Sequence, residues 1–192
     1  MKLLSDKKKC IIQSALELIQ ANGFHASPVS LVAKNAGVAS GTIYTYFENK
    51  DALIHGIYEY VVEEITKHVS ERDDPLLDFK DRFYNYWKNL TEFYELNPSI
   101  HGFYDQFIKS PFNSDVIQSR PNVWHDFACK FFESGIKQGR IKALNPVVLS
   151  VLVNSNVNSI VRIKQNFRKK LSRDNTELDE IAHLIWDGIK AI

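Results

Sequence analysis

Residues 27–50, SPVSLVAKNAGVASGTIYTYFENK, carry two short runs of helical periodicity on either side of one glycine, a pattern few folds accept. Ser27 has a side-chain oxygen able to cap a helix, and Pro28 suits a first helical position, where no N–H is needed. Val29, Val32, Ala33 and Ala36 recur at helical spacing. Gly37 follows directly and supplies the positive φ that stops a helix, with Val38 placed to plug the turn. A second short helix is predicted from Ser40 to Phe47, with Ile43 and Phe47 four residues apart on one face. Two short helices joined by a tight glycine turn define a helix-turn-helix.

The outer face of the second helix gives the motif its chemistry. With Ile43 and Phe47 inward, Thr42, Thr45 and Tyr46 turn outward and Tyr44 lies at the flank. Hydroxyls and phenols suit phosphate oxygens and base edges, and a Thr methyl can touch a thymine methyl. Gly41 admits close backbone approach, and Lys50 opens the next helix where it can meet a phosphate. An ordinary helical hairpin would leave the exposed Tyr-Thr-Tyr cluster without a reason. Double-stranded DNA is the expected partner, contacted by Ser27, Val29, Ser30, Ser40, Gly41, Thr42, Tyr44, Thr45, Tyr46 and Lys50.

Charge supports this only locally. The chain has a net charge of +1, so its overall balance says nothing about nucleic acid. Over residues 1–50, however, six lysines (2, 7, 8, 9, 34 and 50) face three carboxylates (6, 17 and 48), a modest basic bias. Lys7, Lys8 and Lys9 suit either the DNA backbone or a solvated helix start.

Ala33, Ala36-Gly37-Val38, Gly41, Ile43-Tyr44, Tyr46-Phe47, Lys50 and Leu53 together resemble, without a gap, the N-terminal signature of tetracycline-repressor-like (TetR) regulators. The likeness covers about the first quarter of the chain. Ala39 stands where the family commonly has Ser, which leaves the second helix capped by Ser40 or by nothing. Ser30 is shorter than the polar or basic residue often found there. The resemblance implies an all-α protein with an N-terminal DNA-binding domain (1–50) and a C-terminal ligand-binding and dimerisation domain (51–192). It also implies that the last two helices of each subunit pair as a four-helix dimer bundle.

The rest of the chain reads as helix throughout. Residues 6–22 form an amphipathic helix with Ile12, Ala15, Leu16 and Ile19 inward, ended by Gly23, with Phe24 packing on the same core. Residues 50–70 form a longer bridging helix with a stripe of Leu53, Ile57, Tyr60, Val61 and Ile65, broken at Arg72-Asp73-Asp74-Pro75. Glu64 and His68 on it read as an exposed ion pair. Helices follow over 76–96, from Asn97-Pro98 to about Lys109, and from Pro121 to Gly139, around a loop at 110–120 with room for one helical turn. Two more run over 145–168 and 174–191, joined by a basic connection at 168–173, with Asp174 and Glu177 spaced as a capping box.

With 192 residues and 44% hydrophobic composition, the chain can bury a sizeable core. The aromatic stripes of the later helices mostly fill space. Their interleaved polar groups also fit a largely apolar chamber. The candidates are Phe83, Tyr86, Trp87, Phe103, Tyr104, Phe107, Trp124, Phe127, Phe131, Asn154 and Asn158, for a small apolar or aromatic effector. Asp105 and Asp126 would suit a cationic lipophile, and Arg162 an acid. The narrow stripes of the last two helices make Val148, Leu152, Ile181, Ile185, Trp186 and Ile189 the expected homodimer interface. A dimer is also expected from the DNA side, because one short helix reads too few base pairs and C₂ symmetry matches a palindromic operator.

No nucleophile–base pattern, paired-carboxylate signature or phosphate loop occurs, so an enzyme is not expected. No cofactor and no metal site is expected. Cys10 and Cys129 lack metal-type spacing and read as reduced, buried or half-buried thiols. MKLLSDKKKC lacks the apolar core of a signal peptide, and no run approaches transmembrane length, so a soluble cytoplasmic protein with no membrane partner is expected.

Overall fold

The computed structural model describes residues 6–114, 122–166 and 176–191. It is all-α. In chain order the helices are α1 (Asp6–Asn22), α2 (Val29–Asn35), α3 (Ser40–Tyr44), α4 (Lys50–Ser70), α5 (Phe79–Leu96), α6 (Pro98–Phe107), α7 (Val123–Lys137), α8 (Pro146–Asn166) and α9 (Thr176–Ile189). Residues 111–114 add a helical turn in the expected loop. Pro121, the basic connection at 168–173 and the Asp174 capping box lie outside the described residues.

Glycine stops set the helix ends. At Gly37 (φ +66°), the Val38 N–H reaches the Ala33 carbonyl at 3.0 Å and the Gly37 N–H reaches Lys34 at 3.2 Å. This paired pattern satisfies carbonyls that a helix end otherwise orphans. Gly139 (φ +66°) repeats it after α7, with Arg140 bonded to the Gly135 carbonyl at 2.9 Å. The start of α2 departs from expectation. Pro28 is the residue before α2, and neither α2 nor α3 has a side-chain cap. The Ser27 hydroxyl donates instead to the Gly23 carbonyl at 2.8 Å, closing the α1–α2 turn on itself. Ala39 precedes α3, so that helix is capped by nothing, and it ends at Tyr44 rather than Phe47.

The chain forms two compact units, and α4 runs through the division between them at Val62 and Glu63. The first unit holds residues up to Val62 and takes in 97–121 as well. In it α1 packs on α2 and α6, and α2 on α3. Ile11, Ile12, Leu16, Val32, Ile43, Ile54 and Ile57 form its core, and the buried Ser14 hydroxyl donates to the Val32 carbonyl. Two glycines permit close approaches. A Cβ on Gly56 would lie 2.5 Å from the Phe47 ring, and one on Gly102 would lie 2.7 Å from the Gln20 side chain. Phe47 thus seats directly on the α4 backbone.

The second unit holds 63–96 and the chain from Asn122 onward. There α8 packs against α7 and α5, and α9 against α5. Leu149, Val153, Val157 and Val161, each four apart, form the fully buried face of α8. Arg82 grips Asp73 through two parallel hydrogen bonds of 2.8 and 2.7 Å, and its guanidinium lies over Phe131 at 5.3 Å. This pairing fastens the α4–α5 connection to the bundle. An antiparallel β-bridge, Ile141 to Lys190, ties the last described residues to the turn after α7.

The Phe79 ring lies end-on against Gly135, where an added Cβ would sit 2.3 Å from the ring. Both residues are buried, so neither has room to yield. Gly135→Ala is expected to lower stability by about 1–3 kcal/mol. A urea-denaturation midpoint that falls at constant slope checks this.

One correction concerns hydropathy. Pro146–Gln165 is 20 residues long with a mean hydropathy of 1.3, long and apolar enough to cross a membrane by length and composition. The core helix of a soluble protein passes the same test. In α8 one face lies in the core together with buried Asn158, and half-buried Asn154 and Arg162 interrupt the flank.

Candidate nucleic-acid interface and helical interior

The helix-turn-helix presents most of its expected contacts to solvent. Ser30, Ser40, Gly41, Tyr44, Thr45 and Tyr46 are exposed, and Val29 and Thr42 are half-buried. Tyr44 and Tyr46 are 54% and 37% exposed, while Ile43 and Phe47 beneath them are buried. Two large rings, Tyr44 at the end of α3 and Tyr46 in the turn after it, anchored from below, suit contact with a flat or grooved partner. The Thr45 hydroxyl folds back onto the Thr42 carbonyl at 2.7 Å. That leaves its methyl as the group most available outward.

Two expected contacts lie elsewhere. Ser27 is buried, with its hydroxyl engaged in the turn, so it offers nothing to DNA in this conformation. Lys50 is half-buried, and its ammonium donates to the Phe24 carbonyl at 2.6 Å. Lys8 also turns inward, lying over the Phe47 ring at 5.3 Å. The exposed lysines of this unit include Lys7, Lys9 and Lys34. Asn49 was not singled out in the sequence, yet its Oδ1 accepts from the Ala52 N–H at 2.8 Å and caps α4. The Asn three residues before the end of the helical first turn was its legible signal.

The expected effector residues divide between the units. Phe103, Tyr104 and Phe107 lie on α6 in the first unit, where Phe107 stacks on Tyr58 at 4.1 Å. Phe83, Tyr86, Trp87, Trp124, Phe127, Phe131, Asn154 and Asn158 lie in the second. There Tyr86 is the hub. It lies nearly parallel to Trp124, Phe127 and Phe131, with centroids 5.7, 6.4 and 4.7 Å away, and its hydroxyl donates to Asn154 Oδ1 at 2.7 Å. Trp124 is 2% exposed, and its indole N–H has no hydrogen-bond partner. A buried unpaired donor costs about 1–3 kcal/mol. Trp87 donates instead to Asn156, an asparagine that sequence periodicity gave no reason to choose.

A groove of about 350 Å³ opens in the second unit between α5 and α9, lined by Trp87, Lys88, Thr91, Glu92, Glu95, Leu96, Leu178 and Asp179. Of the expected effector residues, only Trp87 lines it.

The dimer candidates also separate. Val148 and Leu152 are 58% and 49% exposed, alongside exposed Val147 and Val151. Ile181 and Ile185 are half-buried. Trp186 and Ile189 are buried within the subunit, and Trp186 packs on Phe79, Phe83 and Tyr84. These two are core residues, because the α9 stripe faces α5 of its own chain. Cys10 differs from expectation as well, since it is exposed. Cys129 is half-buried, and burial pushes its thiol pKa up.

His68 is not an exposed ion-pair member. Its ring faces Phe93 at 4.9 Å, and its Nε2 is buried without a partner. Burial first, and then the Arg72 charge, hold its pKa below the ordinary 6.5. The unfolded chain therefore takes up this proton before the folded one does. The stability contribution is complete above about pH 6.5 and is lost as pH falls through the lower folded value. Urea midpoints measured below pH 6.5 should fall less steeply with pH in His68→Phe than in wild type.

Together these features define a helix-turn-helix regulator with a helical C-terminal domain. The bacterial regulatory protein pattern of the tetR family matches residues 11–57, and the tetracyclin repressor-like C-terminal domain matches residues 78–190. The chain belongs to the TetR family of DNA-binding transcriptional regulators, and it is not an enzyme. The HTH-type transcriptional regulator YhgD of Bacillus subtilis is 31% identical over 143 residues, 73% of this chain and 75% of its own length. The fatty acid metabolism regulator protein of the same organism is 41% identical over 71 residues, 37% of each chain. A TetR-family regulator from Shewanella has a TM-score of 0.86 at 20% identity, covering 98% of this chain and all of its own. FadR of Bacillus subtilis, solved with stearoyl-CoA, has a TM-score of 0.74 at 19% identity, covering 93% of this chain and 95% of its own.

Proposed function

We propose that this chain is a homodimeric repressor of a palindromic operator, released when a small apolar or aromatic molecule binds its C-terminal domain. The observation that carries the DNA half is the pair of exposed tyrosines at the end of α3 and in the turn after it, held over buried Ile43 and Phe47. Residues 1–50 read the operator, mainly through Ser30, Ser40, Gly41, Thr42, Tyr44, Thr45 and Tyr46. Residues 51–192 bind effector and dimerise. Repression takes place in the cytoplasm, where the operator is.

The effector half draws on the Tyr86 aromatic cluster, whose unpaired Trp124 N–H and Asn154 offer orienting polar groups within apolar walls. FadR of Bacillus subtilis, which shares this fold, was solved in complex with stearoyl-CoA, so a long apolar ligand is within the compass of the fold. Dimerisation draws on the exposed valine and leucine face of α8, since an apolar patch of that kind marks an interaction surface. The effector needs only to bind the DNA-free arrangement better. A coupling of about 1–3 kcal/mol lowers operator affinity roughly 5–150-fold.

The test is to sequence genomic fragments retained by the purified protein, then to titrate the bound fragment with acyl-CoAs and aromatic compounds in gel shifts. Release by at least one compound is expected. Retention of a palindrome that no compound releases would favour the second reading, a DNA-binding protein whose C-terminal bundle only dimerises or recruits a partner protein. Failure to retain any fragment would overturn the operator reading itself.

A further inference from the structure

We propose that Lys50 serves DNA recognition as a positioning residue rather than as a phosphate anchor, and that α6 controls the tie it makes. This rests on the reading of α3 as the operator-contacting helix. The Lys50 ammonium donates to the Phe24 carbonyl at 2.6 Å, a charge-assisted bond across 26 residues of sequence. It joins the first residue of α4, six residues beyond the end of α3, to the turn between α1 and α2. Both flanks of the helix-turn-helix are thereby held to one point.

That point is itself held by α6 and the turn after it. The Phe24 ring meets Phe103 edge-on at 5.7 Å and Phe112 at 5.4 Å. Gln106 of α6 donates to the Ile19 carbonyl at 3.0 Å, the same carbonyl that accepts from the Gly23 N–H as α1 ends. Gly102 lets α6 approach α1 closely enough for this stitching. A displacement of α6 therefore acts on Phe24, and through its carbonyl on Lys50 and the start of α4. The second inward lysine, Lys8 over Phe47, braces the same helices from the α1 side.

A phosphate anchor and a positioning residue differ in salt dependence. Each lysine that neutralises a phosphate contributes about 0.9 to the slope of log affinity against log salt, and its removal makes the slope shallower. A positioning lysine changes affinity and leaves the slope alone. The experiment uses the full chain and a duplex selected from random-sequence DNA by the wild-type protein. It compares wild type, Lys50→Met, Phe112→Ala and the double variant across a salt series. Lys50→Met is expected to weaken binding about 10-fold at fixed salt with the wild-type slope. Phe112→Ala, at a residue outside the operator-contacting set, is expected to weaken binding in the same direction. The double variant should then be no worse than Lys50→Met alone, because both act through one tie.

A slope shallower by about 0.9 per lysine in Lys50→Met overturns the proposal, and so do losses that multiply in the double variant. The tie is also read without DNA. Amide exchange at residues 24–28 and 50–53 should quicken in Lys50→Met, and unchanged exchange there overturns the proposal. A wild-type protein that selects no duplex would count against the operator-contacting assignment of α3, and the exchange result would still decide the tie.

Discussion

Tyr44→Ala and Tyr46→Ala should each lower operator affinity about 100-fold in gel shifts, with the urea midpoint unchanged. The size follows from symmetry, since one substitution removes a contact from each half of a dimer. A hydrogen bond to a charged group contributes about 1.5–3 kcal/mol. Two losses at the lower end total about 3 kcal/mol, or roughly 100-fold. The unchanged stability follows from exposure, because at 54% and 37% exposed neither ring is a core residue. Ile43 makes the contrasting case. It is fully buried, and Ile43→Ala should cost about 2–5 kcal/mol of stability. Unchanged affinity in both tyrosine variants would remove α3 as the recognition helix.

The second large effect is expected at Leu152. In the single chain it is 49% exposed, with Val148 and Val151 beside it at 58% and 56%. A glutamate there is solvated in the monomer and should leave its stability nearly unchanged. Across a two-fold interface the same side chain is desolvated and lies near its own copy, and both effects oppose association. Leu152→Glu should weaken self-association at least about 100-fold, equivalent to roughly 3 kcal/mol. Sedimentation across a concentration series measures it, and operator affinity should fall in parallel. Trp186→Glu is the informative contrast, because Trp186 is 7% exposed and packs on Phe79 and Phe83. It should unfold the second unit rather than separate subunits. A Leu152→Glu protein that sediments as wild type would place any dimer contact on another face.

The helix-turn-helix was the most legible part of the chain, for reasons that act over short distances. Gly37 stops α2 because only a residue without Cβ takes φ +66° at little strain, and the bonds it makes possible reach back no more than five residues. The spacing of Ile43 and Phe47 likewise fixes which face of α3 turns outward. The expected Ser27 cap of α2 is absent for a related reason. A Ser before a Pro has two nearby partners, the N–H groups ahead and the carbonyl behind, and the turn selects the carbonyl of Gly23. Sequence alone does not rank those two.

The interior residues were legible as a class and not as a site. Aromatics at helical spacing announce burial, yet spacing does not say against which helix. Phe103 and Phe107 belong with Tyr58 and Phe24 in the first unit, and Trp186 with Phe79 and Phe83 in the second. The stripe on α9 suited a partner subunit equally well until α5 was seen to occupy it.

Caps, prolines, glycine stops and the 3.6-residue period are local interactions, so the chain order of helices and the exposed face of α3 follow from the residues themselves. Pairings between distant residues are a property of the folded chain. Tyr86 meets Asn154 across 68 residues and Lys50 meets Phe24 across 26, and no periodicity encodes either. Packing chose them, because a side chain's partner is set by which helices share a core. In that way tertiary structure paired the lysine expected at a phosphate with the Phe24 carbonyl in the turn between α1 and α2.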